Sequence, residues 1–427
     1  LVGIGEEPPA DTVVPNTTTI PVDATSLTFT QVDPPNDETL IEGFEVRGAF
    51  HAVSWNRNVW TTSDGIDWQL LGEVPPPPFA PAARDIDSDG TRLAVVEAVG
   101  QAGPTGAECV GDEGALHLSV LESDGSWSTG SIPLQLDEVS EVGCLYVIET
   151  RITVGPQGYM VTAVLAADLR LENILARELD MSFDAVSEGL RELRQDGWML
   201  EVVIDGERHT LDLEDLGYAD DISRFTGQAD ELSPVDSDDL ISMGEGDLAW
   251  WSPDGETWHQ ADPTGPLQAR GMSASLAPLA TGDGFLVTSL DGSRSSVWTN
   301  SDGSWNQVGT IGSRGVEPVR WGEGVLLVGD GVWYFDGNEI EILSDEIDLS
   351  EHSVSSGSWG VVAAPLFSDG PVYFSTDGRR WVELGTESFN DSNEPGLQLV
   401  GLGDQFVVLL QHMGWGETGP RPLWIGR

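Results

Sequence analysis

Lysine is missing altogether. The 19 fixed cations of this 427-residue chain are all arginines, set against 72 aspartates and glutamates, and the formal net charge is −53. A surface of that sign repels nucleic-acid phosphates and anionic lipid, so neither is an expected partner. It suits a protein adapted to salty surroundings. Cysteine is scarce too: Cys109 and Cys144 are the only two. Such a pair makes one bridge outside the cytoplasm, or two buried thiols inside it. No apolar run reaches the length of a membrane-spanning helix. Long helical periodicity is rare, whereas glycine (51), proline (25) and tryptophan (16) are plentiful. That mixture describes many short strands joined by turns.

What is there is a repeat. Trp60 to Trp68 reads WTTSDGIDW: a strand, a tight bend at Asp64-Gly65 and a returning strand. Asp-Gly suits a two-residue hairpin turn with positive φ at both central positions. Trp250 to Trp258 (WWSPDGETW), Trp298 to Trp305 (WTNSDGSW) and Tyr373 to Trp381 (YFSTDGRRW) repeat it, with weaker copies at Asp124-Gly125 and Asp336-Gly337. Upstream of each bend lies another glycine-containing turn followed by a continuous apolar run, such as Val325-Leu326-Leu327-Val328. Such runs belong to strands covered on both faces. Short strands reiterated in this way predict an all-β, seven-bladed β-propeller. Its last blade lacks an outer strand after Leu423-Trp424-Ile425. Thr28 to Val32 is β-patterned with no other home, and the expectation is that it closes the ring there.

Four segments follow. Residues 1–26 are acidic and rich in proline and threonine, and should form a disordered tether. Residues 27–167 hold the closing strand, blades one and two and the start of blade three. Residues 168–239 are too many for a blade and read as a small α/β insertion. There Ser182 caps a helix through Phe183, Val186, Leu190 and Leu193 that stops at Gly197, and a hairpin turns at Asp205-Gly206. Residues 240–427 complete the ring. The chain begins at Leu1, and LVGIG has the look of the end of an apolar segment. A tether after such a segment points to a secreted, cell-surface or membrane-anchored, hence extracytoplasmic, protein.

The pattern W-x-[ST]-x-D-G-x-x-W resembles the Asp-box (BNR) repeat of sialidase-like β-propellers, one residue shorter between aspartate and tryptophan than is usual. The resemblance implies that Asp64, Asp254, Asp302 and Asp377 brace the outer turns and that Trp68, Trp258, Trp305 and Trp381 pack between blades. These are roles in the fold, on the face away from that family's active site. The resemblance also raises a sialidase-like or other glycoside hydrolase with an axial site. Its early Phe/Tyr-Arg-Ile/Leu-Pro signature is absent, though Arg84, Arg151 and Arg320 stand in or near inner strands. Acidic residues are too common for a catalytic pair to be picked out.

Asp85-Ile86-Asp87-Ser88-Asp89-Gly90 has the outline of a calcium loop, with Asp85, Asp87 and Asp89 as alternating carboxylates. Leu93 and Val96 stand where later ligands belong, and the segment aligns with a turn in the other blades. A turn is therefore the preferred reading, and no metal or cofactor is expected. The six histidines are scattered without metal-ligand spacing. Loops between second and third strands gather at one end of a propeller, and they include every long irregular stretch. Loops on a rigid scaffold are where recognition concentrates. Trp55, Arg57, Arg294, His412 and Trp415 are the side chains there suited to stacking on a sugar or anchoring a protein. The expected function is thus a non-catalytic module binding protein or glycan.

Cys109 and Cys144 fall at that same end, in adjacent blades, which favours a bridge. Thiol titration of the denatured, unreduced protein should find no free thiol; two would exclude the bridge.

Overall fold

The computed structural model describes residues 29–77, 81–99, 101–102, 108–109, 115–122, 124–133, 145–179, 181–196, 199–212, 233–234, 241–261, 266, 276–291, 293–301, 304–357, 360–365, 370–384, 397–403, 406–411 and 423–426. The fold is all-β and propeller-like. Among the described residues there are eight four-stranded antiparallel sheets and one two-stranded sheet.

Seven of the eight repeat one plan, a four-stranded meander, with strands in chain order in six of them. Sheet one comprises Leu40–Val46, Ala49–Ser54, Asn58–Thr62 and Gln69–Glu73. Sheet two comprises Pro81–Ser88, Leu93–Val99, Ala115–Leu121 and Trp127–Pro133. Sheet three is built from Leu145–Gly155, Gly158–Arg170, Ile241–Ser252 and His259–Gln260. Sheet four has Ala277–Ala280, Phe285–Asp291, Arg294–Asn300 and Trp305–Ile311, and sheet five Glu317–Trp321, Gly324–Val328, Val332–Phe335 and Ile340–Ser344. Sheet six has His352–Gly357, Gly360–Pro365, Val372–Ser375 and Val382–Leu384. Sheet seven takes Leu397–Gly403, Phe406–Gln411 and Leu423–Gly426 from the end of the chain and Phe29–Val32 from its beginning. Phe29 stands opposite Gly426 and Val32 opposite Leu423. First strands of consecutive sheets touch, and the first strand of sheet seven touches that of sheet one.

The second strands are buried along their length, as in Gly324–Val328 and Gly360–Pro365. Each is sandwiched, because the apolar clusters lie between sheets rather than within them. Val46, Val53 and Val59 of sheet one meet Ile86, Leu93 and Val95 of sheet two. Phe50 and Trp60 of sheet one meet Val408 and Ile425 of sheet seven. Trp68 packs against this second cluster, Trp258 against one shared by sheets two and three, Trp305 by three and four, and Trp381 by five and six.

The outer turns differ from the two-residue hairpin expected of Asp-Gly. In sheet one the strands stop at Thr62 and resume at Gln69. Gly65 has φ +71°, but Asp64 is not among the left-handed residues. Instead the Asp64 carboxylate accepts from the peptide N–H groups of Ile66 and Asp67, both at 2.9 Å, and Thr62 Oγ1 accepts from Gly65 N at 2.9 Å. Asp254 and Asp377 do the same for the two residues after their glycines. Asp302 lies outside the described residues. The two-residue turn with paired positive φ occurs elsewhere, at Arg47-Gly48 and Asp205-Gly206.

Between the second and third strands of sheet three the chain builds the eighth sheet and two helices, Leu171–Glu178 and Phe183–Gly189. Ser182 Oγ accepts from Ala185 N, as a helix cap should. The helix ends at Gly189, however, and Leu190 and Leu193 belong to the strand Leu190–Asp196. Their spacing served both periods, and burial on this subdomain's own core, with Leu175, Val186 and Val202, decided for the strand. Residues 1–28, and with them the tether, lie outside the description.

Phe29 is 9% exposed and packs against Val362, Phe374 and Trp424, between sheets six and seven. Phe29→Ala should cost about 3 kcal/mol of stability, the usual penalty for emptying an aromatic site. A urea titration followed by tryptophan fluorescence would register it as a lower midpoint.

Candidate functional site

Two regions carry polar groups arranged for more than packing. The first is the turn between the second and third strands of sheet one, residues 54–58. Trp55 stands at its tip, 61% exposed. Everything beneath it is fastened. Glu38, 5% exposed, accepts hydrogen bonds from Ser54 Oγ (2.6 Å), Asn58 Nδ2 (2.6 Å) and Trp60 Nε1 (3.1 Å). Burial opposes the ionisation of Glu38, but these bonds and one from Asn36 outweigh it and hold the carboxyl below its ordinary range. The Trp55 peptide N–H donates to Thr39 O at 3.0 Å. Arg57, expected to be a recognition residue, is committed elsewhere. Its guanidinium donates to the carbonyls of Val74 and Pro75 and to both carboxylate oxygens of Glu97 in sheet two. A short turn beside a buried carboxylate made that outcome available, and the sequence pattern alone does not show it.

Arg294 is exposed at the start of the third strand of sheet four, so it shares the loop end with Trp55. His412 and Trp415 lie outside the described residues. Cys144, and with it the expected bridge, does as well; the strand Glu108–Cys109 pairs with Gln101–Ala102 and lies against Leu145–Gly155.

The second region is central. A cavity of about 410 Å³ is framed by first-strand residues of sheets one, two, four, five and six, among them Glu42, Asp87, Arg320 and Ser355. It shares Asp89 and Arg320 with a larger one of about 760 Å³ lined by the turns Thr281 to Gly284 and Gly322 to Gly324. The larger cavity therefore lies at the turn end, which the sequence pattern assigns to fold residues alone. Arg320 donates to Ser88 O (2.8 Å) and Val154 O (2.9 Å), and Arg151 approaches Glu317 at 3.8 Å. Arg84 does not join them; it pairs with Glu97 at 2.8 Å.

The carboxylates here are strongly perturbed. Burial raises Glu42 well above its usual value, and repulsion from Asp85 and Asp87 adds to it. Asp85 is pushed up to about 7 by burial, against the lowering effect of the Ile152 N–H and Arg151. Burial also raises Asp87 despite Arg320 and the Val154 N–H. Asp85 and Asp87 are nevertheless tied down. Asp85 accepts from Ile152 N at 2.6 Å, and Asp87 from Val154 N at 2.7 Å and Thr153 Oγ1 at 2.9 Å, so both join sheet two to sheet three. Asp89 sits in the turn and holds Thr91 and Arg92. The three carboxylates of the calcium-like motif thus face different partners. Among the described residues no three His, Cys, Asp or Glu side chains gather as a metal site requires. Abundance hid Glu42 and Glu317 in the sequence, where no local signal separates them from 70 other acids.

No protein-family model matches the chain. No curated protein matches its sequence. Similar solved structures are propellers and other proteins at low identity. YCF48 bound to D1 peptide is 12% identical with a TM-score of 0.40, covering 95% of this chain and 96% of that one. The β-propeller domain of Myceliophteria thermophila Cps50 (Swd1) is 10% identical with a TM-score of 0.43, covering 93% and 99%. Trypanosoma rangeli sialidase in complex with the inhibitor DANA is 12% identical with a TM-score of 0.39, covering 93% and 55%.

An aspartate whose pKa is about 7 when folded and 3.8 in the reference state binds its proton more tightly in the native protein. Its contribution to stability is therefore complete at low pH and fades as pH rises from about 4 to about 7. Asp85→Asn keeps an acceptor for Ile152 N–H and removes the titration. Urea midpoints at pH 5 and pH 8 should show the variant gaining on the wild type by on the order of 1 kcal/mol at the higher pH. An equal difference at both values would contradict the raised pKa.

Proposed function

We propose that the chain is a seven-bladed propeller, closed by pairing Phe29–Val32 with Leu423–Gly426, and that it serves as a non-catalytic, extracytoplasmic recognition module. On this reading the aspartate-braced outer turns are Asp-box repeats with purely structural work. The partner is a protein or a glycan, engaged at the end where second-to-third-strand turns emerge. One observation carries the reading: Trp55 is 61% exposed on a turn that is otherwise fully fastened to its own and the next sheet. A large aromatic presented on a fastened turn supports binding, because little backbone freedom is left to lose on contact. The acid surface favours basic proteins or neutral glycans over anionic ligands.

A second reading is favoured by one specific feature. Asp85, pushed up to about 7, stands within electrostatic reach of Glu42 and Asp87, which line the central cavity. A protonated carboxyl beside an ionised one is the requirement of glycoside hydrolysis. Against it, Asp85 and Asp87 already accept hydrogen bonds from sheet three, and Arg320 already serves two carbonyls.

Immobilised protein presented with a neutral glycan array and with a panel of basic proteins should retain ligands that Trp55→Ala and Arg294→Ala release about tenfold faster, the scale of a contact worth about 1.4 kcal/mol. Nitrophenyl glycosides should not be turned over between pH 4 and 8. Turnover abolished by Asp85→Asn would decide for the hydrolase, and retention unchanged in both surface variants would remove the proposed face.

A further inference from the structure

Backbone strain is unevenly distributed in this protein. Among the described residues, five other than glycine have φ in the left-handed region: Asn36, Asp37, Arg47, Arg57 and Asp205. Arg47 and Asp205 each precede a left-handed glycine in a hairpin turn, where such φ values belong. The other three need a different account. Asn36 and Asp37 lie in the segment entering sheet one, and Arg57 in the turn that carries Trp55. These two stretches meet, because the Trp55 N–H donates to Thr39 O and Glu38 binds Ser54, Asn58 and Trp60. Strain of this kind costs about 1–3 kcal/mol per residue, persists only where surrounding contacts overrule it, and collects at ligand clamps. Here the overruling contacts are the Glu38 bonds on one side and the Arg57–Glu97 pair on the other.

The strained pair of loops carries an exposed indole, with exposed carboxylates at neighbouring backbone positions. Asp37 is exposed two residues before Thr39. Glu73, exposed at the end of the outer strand, stands opposite Asn58 in register. The nearest cation in the sequence, Arg57, is only 14% exposed at its side chain and is bound to Glu97. The face of a tryptophan attracts cations, guanidinium above all, and flanking carboxylates strengthen that attraction while repelling anions. The protein's charge of −53 acts in the same sense over longer range.

We propose that Trp55, with Asp37 and Glu73, forms a docking point for an arginine or lysine side chain of a basic protein segment. The proposal rests on the recognition reading above and names the partner's chemistry. The guanidinium or ammonium lies over the indole, and the carboxylates take its N–H groups. The fastening by Glu38 and Arg57 sets the platform before the partner arrives.

The test uses the whole chain and a labelled hexa-arginine peptide, with its hexa-citrulline counterpart as the uncharged control, at 150 mM salt. Trp55→Ala should weaken the arginine peptide about fivefold to tenfold. Trp55→Phe should recover most of that loss, Asp37→Asn and Glu73→Gln should each weaken binding about twofold to threefold, and citrulline should not bind. Diffuse attraction to an acidic surface predicts that Trp55→Ala, which changes no charge, leaves the affinity unaltered; that result would overturn the proposal. Loss of a neutral oligosaccharide by Trp55→Ala with the peptide unaffected would also overturn it, while leaving the recognition reading standing. Loss of neither probe would remove both.

Discussion

A four-stranded sheet of this size has two apolar faces and nothing of its own to cover them. That is the constraint on which the rest depends. Each apolar cluster outside the subdomain therefore belongs to two consecutive sheets. The repeat keeps a large side chain near the start of the outer strand to meet the sheet before: Trp68, Trp127, Trp258, Trp305 and Trp381. Ile340 does it in sheet five. In sheet seven the outer strand comes from the other end of the chain, and Phe29 takes that place. The aromatic thus identifies the strand's role even where the repeat's own motif is missing.

Much of this was legible because it is local. The apolar second strands, the aspartate–glycine bends and the Phe29 segment can each be read from a few adjacent residues, and together they imply an all-β, propeller-like arrangement. Less local features were not legible. Aspartate–glycine signals a bend but not its type: the aspartate turns left-handed at Asp205-Gly206, and braces the loop with its carboxylate at Asp64, Asp254 and Asp336. Leu190 and Leu193 fit a helix and a strand equally well, and tertiary burial chose. Arg57 was read as a surface residue because Glu97, its partner, lies 40 positions away. Glu42 and Glu317 were invisible for the same reason in a chain with so many acids.

The absence of lysine has a structural counterpart in how the arginines are used. Arg47 of sheet one reaches Thr91 O and Glu122 O of sheet two. Arg92 of sheet two holds Asp89 and crosses to Gly155 O and Tyr159 of sheet three. Arg320 of sheet five reaches sheets two and three, and Arg379 of sheet six reaches Glu341 of sheet five. A planar guanidinium can serve several acceptors in fixed directions, which a single ammonium does less well, so arginine suits ties between sheets. Cations committed to such ties are not available to balance carboxylates elsewhere on the surface. Arg57, two residues from the exposed Trp55, is used in the same way: it faces inward and joins sheet one to Glu97 of sheet two.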